Sequence, residues 1–459
     1  MRNKNILSCT LMFCLGILLF FFISVLTRFL TRQILVKRMH ADNAFTHLIF
    51  AGNQAMNDDT DKNWAAKYPF RSGEKGTPAA AVAKSNRYES LVYKLKNGIK
   101  TYTQDLLVGR YTMAYAARSY NNLIGCSVMQ TDASEQDSVI RLKNGYLANE
   151  ADRIDEADIQ EIADNVQDFT EYLKAKDIDF VYLNTGSKIC PYDDQLPAGS
   201  NEHTNENGDH LIRALNERGI NTLDIRDHMI NDSLDWYQSY YITDHHWKTT
   251  TSLWAAGVTA QYLNDHFGFD FDPYYFDPAQ YNIDSFPDYF LGGQGRVMTL
   301  ANCSLESYDR ILPRFDTSFL LEIPARKIHM QGSYREVLFD EEHFDSIASY
   351  SARDFSEKSD AYHSMRLKND AYGKIVNLAP KNNRDKKILM IYDSFCWYLS
   401  SFLATDISEI VTLHLSDFNG SVCTLVDETD PDIVIVAYCE ASINPLDNRS
   451  SHTEMYDFE

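Results

Sequence analysis

Two short segments hold the residue types that acyl-transfer chemistry requires. Tyr240-Tyr-Ile-Thr-Asp-His-His-Trp247 sets Asp244 and His246 two positions apart, and Ile388-Leu-Met-Ile-Tyr-Asp-Ser394 sets a serine just beyond an apolar run. A serine nucleophile needs an imidazole to take its proton and a carboxylate to hold that imidazole in one tautomer. Ser394, His246 and Asp244 supply these three groups. A serine at a strand-to-helix turn projects from the sheet edge, near helix amides that stabilise an oxyanion. Spacing alone leaves the ordinary reading open, in which Ser394 is a helix cap and Asp-x-His is chance. His245 competes with His246 for the role of base. Adjacent histidines rarely converge on one ion, and no His-x-x-x-His or cysteine pair adds ligands, so neither a metal nor another cofactor is expected.

These residues need elements to position them. From Asp137 onward, strand and helix signals alternate, the pattern of an α/β fold with a largely parallel sheet. Val139–Leu147 reads as a hairpin turning at Asn144-Gly145. A helix from about 156 to 175 puts Ile159, Ile162, Val166, Phe169 and Leu173 on one face. The strand Phe180–Asn184 runs into Thr185-Gly-Ser-Lys188, where Lys188 and, further on, Tyr192 are either structural loop residues or candidates for binding a sugar or an acyl donor. A helix near 210–218 and a short strand 221–225 follow. Late in the chain, 387–392, 409–413 and 432–437 read as strands, with a helix starting near Trp397. Strand ends of this kind are where open α/β sheets hold ligands. Gly292, Gly293 and Gly295 either offer backbone amides to an oxyanion or form a plain flexible turn, and Trp247 is either core or a support for the imidazole. The stretch 270–375, rich in Phe, Tyr and Asp, reads as an insertion beside the sheet; its aromatics between Tyr274 and Tyr289 are candidates for stacking on sugars.

Several blocks in fixed order carry a family resemblance over about residues 135–445: Thr185-Gly-Ser-Lys188 with Pro191-Tyr192 and Leu196-Pro197, Gly219–Asp227, Asp244-His-His-Trp247, Phe290-Leu-Gly-Gly-Gln-Gly-Arg296, Pro313–Thr317 and Tyr392-Asp-Ser394. The chain resembles the DHHW family of membrane-anchored proteins and, more distantly, the SGNH hydrolase-like acetyltransferases that decorate bacterial exopolysaccharides such as alginate. The resemblance implies an SGNH hydrolase-like sheet with flanking helices. It implies Ser394 as nucleophile, His246 as base and Asp244 as its orienting carboxylate. It also implies a cell-surface polysaccharide as substrate and a membrane-bound O-acyltransferase as acyl-delivering partner. One departure stands out: the family's Gly-Asp-Ser reads Tyr392-Asp393-Ser394, which removes a glycine's backbone freedom. A catalytically weak, polysaccharide-binding scaffold is the alternative function.

Charge and hydropathy bound the rest. Among 459 residues, 43 are Lys or Arg and 65 Asp or Glu, a net charge of −22. An acidic body repels phosphates, so a nucleic-acid partner is not expected. No charge falls between Lys4 and Arg28, and about 22 residues of helix match a hydrocarbon core of about 30 Å, so residues 6–27 are expected to span a membrane. The run leads into Thr27-Arg28 without a small-residue cleavage site, which favours an uncleaved anchor. Two basic residues precede the span and four follow, so charge counting alone does not place the body outside the cytoplasm; that expectation rests on the family. The expected organisation is an anchor at 1–40, a membrane-proximal helical stalk or lid at 41–135 with apolar spacing from Leu91 to Leu106, and the α/β domain at 136–459. The eight cysteines, scattered without Cys-x-x-Cys spacing, read as small apolar side chains.

Overall fold

Continuous apolar runs bounded by turns build the centre of the molecule, because a strand covered by helices on both faces has no polar side to show. The structure, a computed structural model, describes residues 138–347, 360–443 except 369 and 419, and 455–458, with short pieces between 116 and 130. The expected membrane span and the stalk helix lie outside the described residues; among the described ones no helix is long and apolar enough to cross a membrane.

A three-stranded antiparallel sheet comes first, β1 (Val128–Gln130), β2 (Ser138–Arg141) and β3 (Leu147–Asn149), its second turn closing at Asn144-Gly145 as the sequence indicates. Then follow α1 (Glu156–Lys174), β4 (Asp179–Asn184), α2 (Thr204–Glu217), β5 (Thr222–Asp224), α3 (Ile225–Asn231) and α4 (Thr249–Phe267). Gly268 ends α4 with a left-handed φ of 64°, which costs glycine nothing. The middle of the chain forms the hairpin β6 (Tyr281–Phe290) and β7 (Glu306–Pro313) around α5 (Gly293–Met298), then β8 (Phe319–Ile323), β9 (Ile328–Gly332), α6 (Tyr334–Val337), α7 (Glu341–Ile347) and β10 (Tyr372–Asn377). The last part is β11 (Lys387–Tyr392), α8 (Cys396–Leu403), β12 (Glu409–Leu413), α9 (Val422–Thr429) and β13 (Ile433–Tyr438).

Eight strands share one mixed sheet in the order β5-β4-β13-β11-β12-β10-β8-β9. The five from β5 to β12 are parallel, and β10, β8 and β9 extend them antiparallel. The stretch 270–375 therefore does not merely lie beside the sheet as expected: it completes one side of it. Alternation along β11 explains the two cores. Ile388, Met390 and Tyr392 pack with α4 and α8 on one face, while Leu389 and Ile391 pack with α1, α2 and α9 on the other. Each such side chain contributes roughly 1.5–3 kcal/mol by leaving water. The ends of β4, β11 and β13 thus form one rigid edge, and Ser394 sits in the turn between β11 and α8.

Candidate active site

The serine turn is fixed by the residue before it. Asp393 is buried; its Oδ1 accepts from the Phe395 amide at 3.0 Å, and its Oδ2 accepts from the Cys439 amide and the Ser442 hydroxyl, both at 2.7 Å. One carboxylate thereby ties the turn to the end of β13. Tyr392 is not among the residues with positive φ, and its ring lies in the core. The missing glycine costs the turn no conformational strain.

The Asp-His segment is a tight loop. Tyr240 and Trp247 form an antiparallel bridge at its base, and the Tyr241 amide donates to the His246 carbonyl at 3.2 Å. Lys188, which is buried, and Glu306, which is half-buried, both hold the tip. Lys188 Nζ donates to the carbonyls of Tyr241 (2.9 Å), Ile242 (3.3 Å) and Asp244 (2.5 Å) and to Gln294 Oε1 (2.8 Å). Burial pushes its ammonium down to about 7, against the charges of Glu306 and Asp244. Glu306 accepts from the amides of Ile242 and Thr243, both at 2.7 Å, and from the Thr243 hydroxyl. From the start of α5, the Gly292 amide donates to Thr243 Oγ1 at 2.9 Å and the Gly293 amide to Asp244 Oδ2 at 2.7 Å. A Cβ on Gly292 would fall 2.2 Å from that of Asp244, so only glycine fits there.

This scaffold brings Asp244, His246 and Ser394 into one hydrogen-bonded chain. His246 Nδ1 lies 2.5 Å from Asp244 Oδ1, and His246 Nε2 lies 2.7 Å from Ser394 Oγ. A carboxylate at Nδ1 keeps the proton on that nitrogen, which leaves the Nε2 lone pair to accept from the serine hydroxyl. Burial alone would raise the Asp244 carboxyl, but the charge and hydrogen bonds of His246, with His245, hold it well below the usual carboxylate range. It remains the anion that an imidazolium requires. The arrangement is competent for general-base activation of Ser394.

His245 is placed differently. Its side chain is 43% exposed and its Nδ1 is 3.6 Å from Asp244 Oδ1, outside hydrogen-bond range. Desolvation and the neighbouring His246 lower its basicity. As donors for an ion, Asp244, His245 and His246 cluster within 4.8 Å. However, Asp244 Oδ1 and both ring nitrogens of His246 are already engaged by the relay, so the set fits proton transfer better than chelation.

The other sequence candidates take supporting positions. Lys188 is buried among protein acceptors, so it braces the Asp244 loop rather than meeting a sugar or an acyl donor. Trp247 is fully buried, and its Nε1 donates to the Phe395 carbonyl at 2.9 Å, clipping the histidine loop to the serine turn. The amides of Gly292 and Gly293 are spent on Thr243 and Asp244, and that of Gly295 on the Thr243 carbonyl, so they hold the carboxylate loop instead of an oxyanion. Tyr192 is 75% exposed, with no contact to the triad among the described residues. The aromatics from Tyr274 to Tyr289 do not make a stacking platform: Phe276 and Tyr281 are buried, Tyr275, Phe286 and Tyr289 pack on the core, and Tyr274 alone is exposed.

Sequence reasoning missed Glu306, Asp393 and Tyr362. Asp393 had a legible signal, since an aspartate directly before a turn accepts the amide two residues on. Glu306 and Tyr362 act across the fold from inside 270–375 and carry no local mark.

Comparison with known proteins agrees with this architecture. Residues 144–273 match the family model described as the SGNH hydrolase-like domain, acetyltransferase AlgX. No curated protein matches the chain by sequence. Among solved structures it is similar to Bacillus cereus PatB1 with a sulfonyl adduct, with a TM-score of 0.56 and 15% identity over 71% of this chain and 99% of that one. A DHHW family protein from Eubacterium siraeum matches with a TM-score of 0.49 and 14% identity, covering 69% and 93% of the two chains. The O-acetyltransferase domain of Pseudomonas putida AlgJ matches with a TM-score of 0.42 and 10% identity, covering 67% and 92%. At such identities the PatB1 likeness shows a shared fold. The resemblance expected from the sequence stands over residues 144–273, which are similar to an SGNH hydrolase-like domain.

Proposed function

We propose that the chain is a serine O-acyltransferase that places acetyl groups on hydroxyls of a cell-surface polysaccharide. The observation that carries this reading is the unbroken Asp244–His246–Ser394 hydrogen-bonded chain at the end of β11. As Ser394 Oγ attacks the carbonyl carbon of an acetyl ester, its proton passes to His246 Nε2, and Asp244 stabilises the resulting imidazolium. When the carbonyl re-forms, the donor's oxygen leaves with the proton from His246, and the acetyl group remains on Ser394. A sugar hydroxyl then attacks that ester, gives its proton to His246, and departs acetylated as Ser394 regains a proton. The Ser394 amide, which has no acceptor among the described residues, is available for the tetrahedral oxyanion. This sequence of steps uses no cofactor. Water in place of the sugar gives hydrolysis by the same steps, and the match to an acetyltransferase family favours transfer.

A sensitive test supplies an acetyl ester and an oligosaccharide acceptor to the purified protein. Acetylated oligosaccharide is the expected product; acetate release unaffected by the acceptor would make the protein an esterase, and no turnover would contradict the reading. A membrane-bound O-acyltransferase is the donor-side partner this reading implies, with the chain anchored through residues 6–27 and its body outside the cytoplasm. Protease added to intact cells with a permeable envelope should then digest the body, whereas protection until lysis would overturn that topology.

A further inference from the structure

The His246 imidazole lies among aromatic rings. Tyr362 stacks on it, with ring centroids 4.0 Å apart and planes 15° from parallel, and His245 lies 3.9 Å away with its plane tilted by 36°. Phe395 and Trp397 stand further off, tilted, with centroids at 5.1 and 6.1 Å. Tyr362 is the flattest of these contacts, and it is fully buried. Its hydroxyl is shared between the carbonyls of Ser394 (3.2 Å) and Phe395 (3.3 Å). One side chain from the 270–375 stretch thus touches both the base and the backbone of the serine turn.

The support of Tyr362 closes a ring of contacts. Asp360 Oδ1 accepts from the Tyr362 amide at 3.0 Å, while Asp360 Oδ2 pairs with Arg296 at 2.9 Å. Arg296 belongs to α5, whose Gly293 amide holds Asp244 Oδ2. Asp244 holds His246, and His246 stacks on Tyr362. The carboxylate loop, the imidazole and the serine turn are therefore braced against one another through a segment remote in sequence from all three.

Building on the serine-transferase reading, we infer that Tyr362 is a positioning residue for the acyl-transfer step, holding the His246 ring coplanar with its two hydrogen-bond partners and presenting a π face to the imidazolium. An aromatic face within about 6 Å of a cation favours the charged form by electrostatic attraction to the ring quadrupole. A ring free to turn about its Cβ–Cγ bond would swing Nε2 away from Ser394 Oγ, and small misplacements of this sort cost large factors in rate. Tyr362 itself touches no substrate, so its effect falls on kcat and not on KM.

Steady-state kinetics with an acetyl ester separate the possibilities. Tyr362→Leu removes the flat ring and should lower kcat by about tenfold or more, with KM within about twofold. Tyr362→Phe keeps the ring and loses only the hydroxyl, and should recover most of that loss. If leucine prevents folding, Tyr362→Met fills similar volume with a flexible chain and answers the same question. Wild-type kcat in a folded leucine or methionine variant would overturn the inference, as would a phenylalanine variant as slow as the leucine one. Ser394→Ala, measured in parallel, keeps the two readings apart: a dead serine variant beside a fully active Tyr362→Leu refutes the positioning role alone, whereas an active serine variant refutes the enzyme reading on which it rests.

Discussion

Ser394→Ala should lower acetyl-ester turnover by at least about 10³-fold while leaving the protein folded. The serine hydroxyl is partly exposed and its described partner is His246, so its removal costs about one hydrogen bond, roughly 1 kcal/mol, and shifts the melting temperature by only a few degrees. Among the described residues no other hydroxyl is hydrogen-bonded to His246 Nε2, so none of them is placed to take over the covalent step. Adding His246→Ala or Asp244→Ala to the serine variant should add little further loss. Groups that act as one relay are disabled by the first missing member. Independent, multiplying losses would mean that the three residues do not share a step.

The two histidines should separate sharply. His246→Ala is expected to cost about 10²–10⁴ in turnover, the range for a lost general base. It should also destabilise the fold by a few kcal/mol, because Asp244 is buried and loses the partner that keeps it ionised. His245→Ala, at a partly exposed ring beyond hydrogen-bond range of the carboxylate, should stay within about threefold of wild type. Thermal unfolding and kinetics on the two variants check both halves of this expectation. A reversed order would move the base to His245 and would require the loop to rearrange before reaction.

Legibility in the sequence followed burial. Strands β4, β11, β12 and β13 stood out because both faces are covered, so their residues form near-continuous apolar runs. The boundaries of β11 and β12 were readable to the residue, since polar residues flank both runs. By contrast, β9 and β10 alternate buried or half-buried with more open positions and carry Gly332 and Gly373, so their membership of the main sheet had no sequence mark. Asp244, His246 and Ser394 were legible as a candidate set from type and order, and the fold brings them into one hydrogen-bonded chain. Their supports were not, because those roles come from tertiary contact: Lys188 looks like a loop lysine until its four acceptors are in place, and Tyr362 is one of 28 tyrosines. Gly292 and Gly293 read as amide donors to an oxyanion or as a plain turn; in the fold Gly293 donates to the Asp244 carboxylate and Gly292 to the neutral Thr243 hydroxyl.

If Ser394 carries the acyl group in transit, the group can be caught there by mixing the protein with an activated acetyl ester, quenching within one turnover and mapping the digest by mass spectrometry. One acetyl increment is expected on the peptide containing Ser394, absent in Ser394→Ala and strongly reduced in His246→Ala. Acetyl found on another residue, or an unmodified Ser394 peptide while the ester is being consumed, would contradict it.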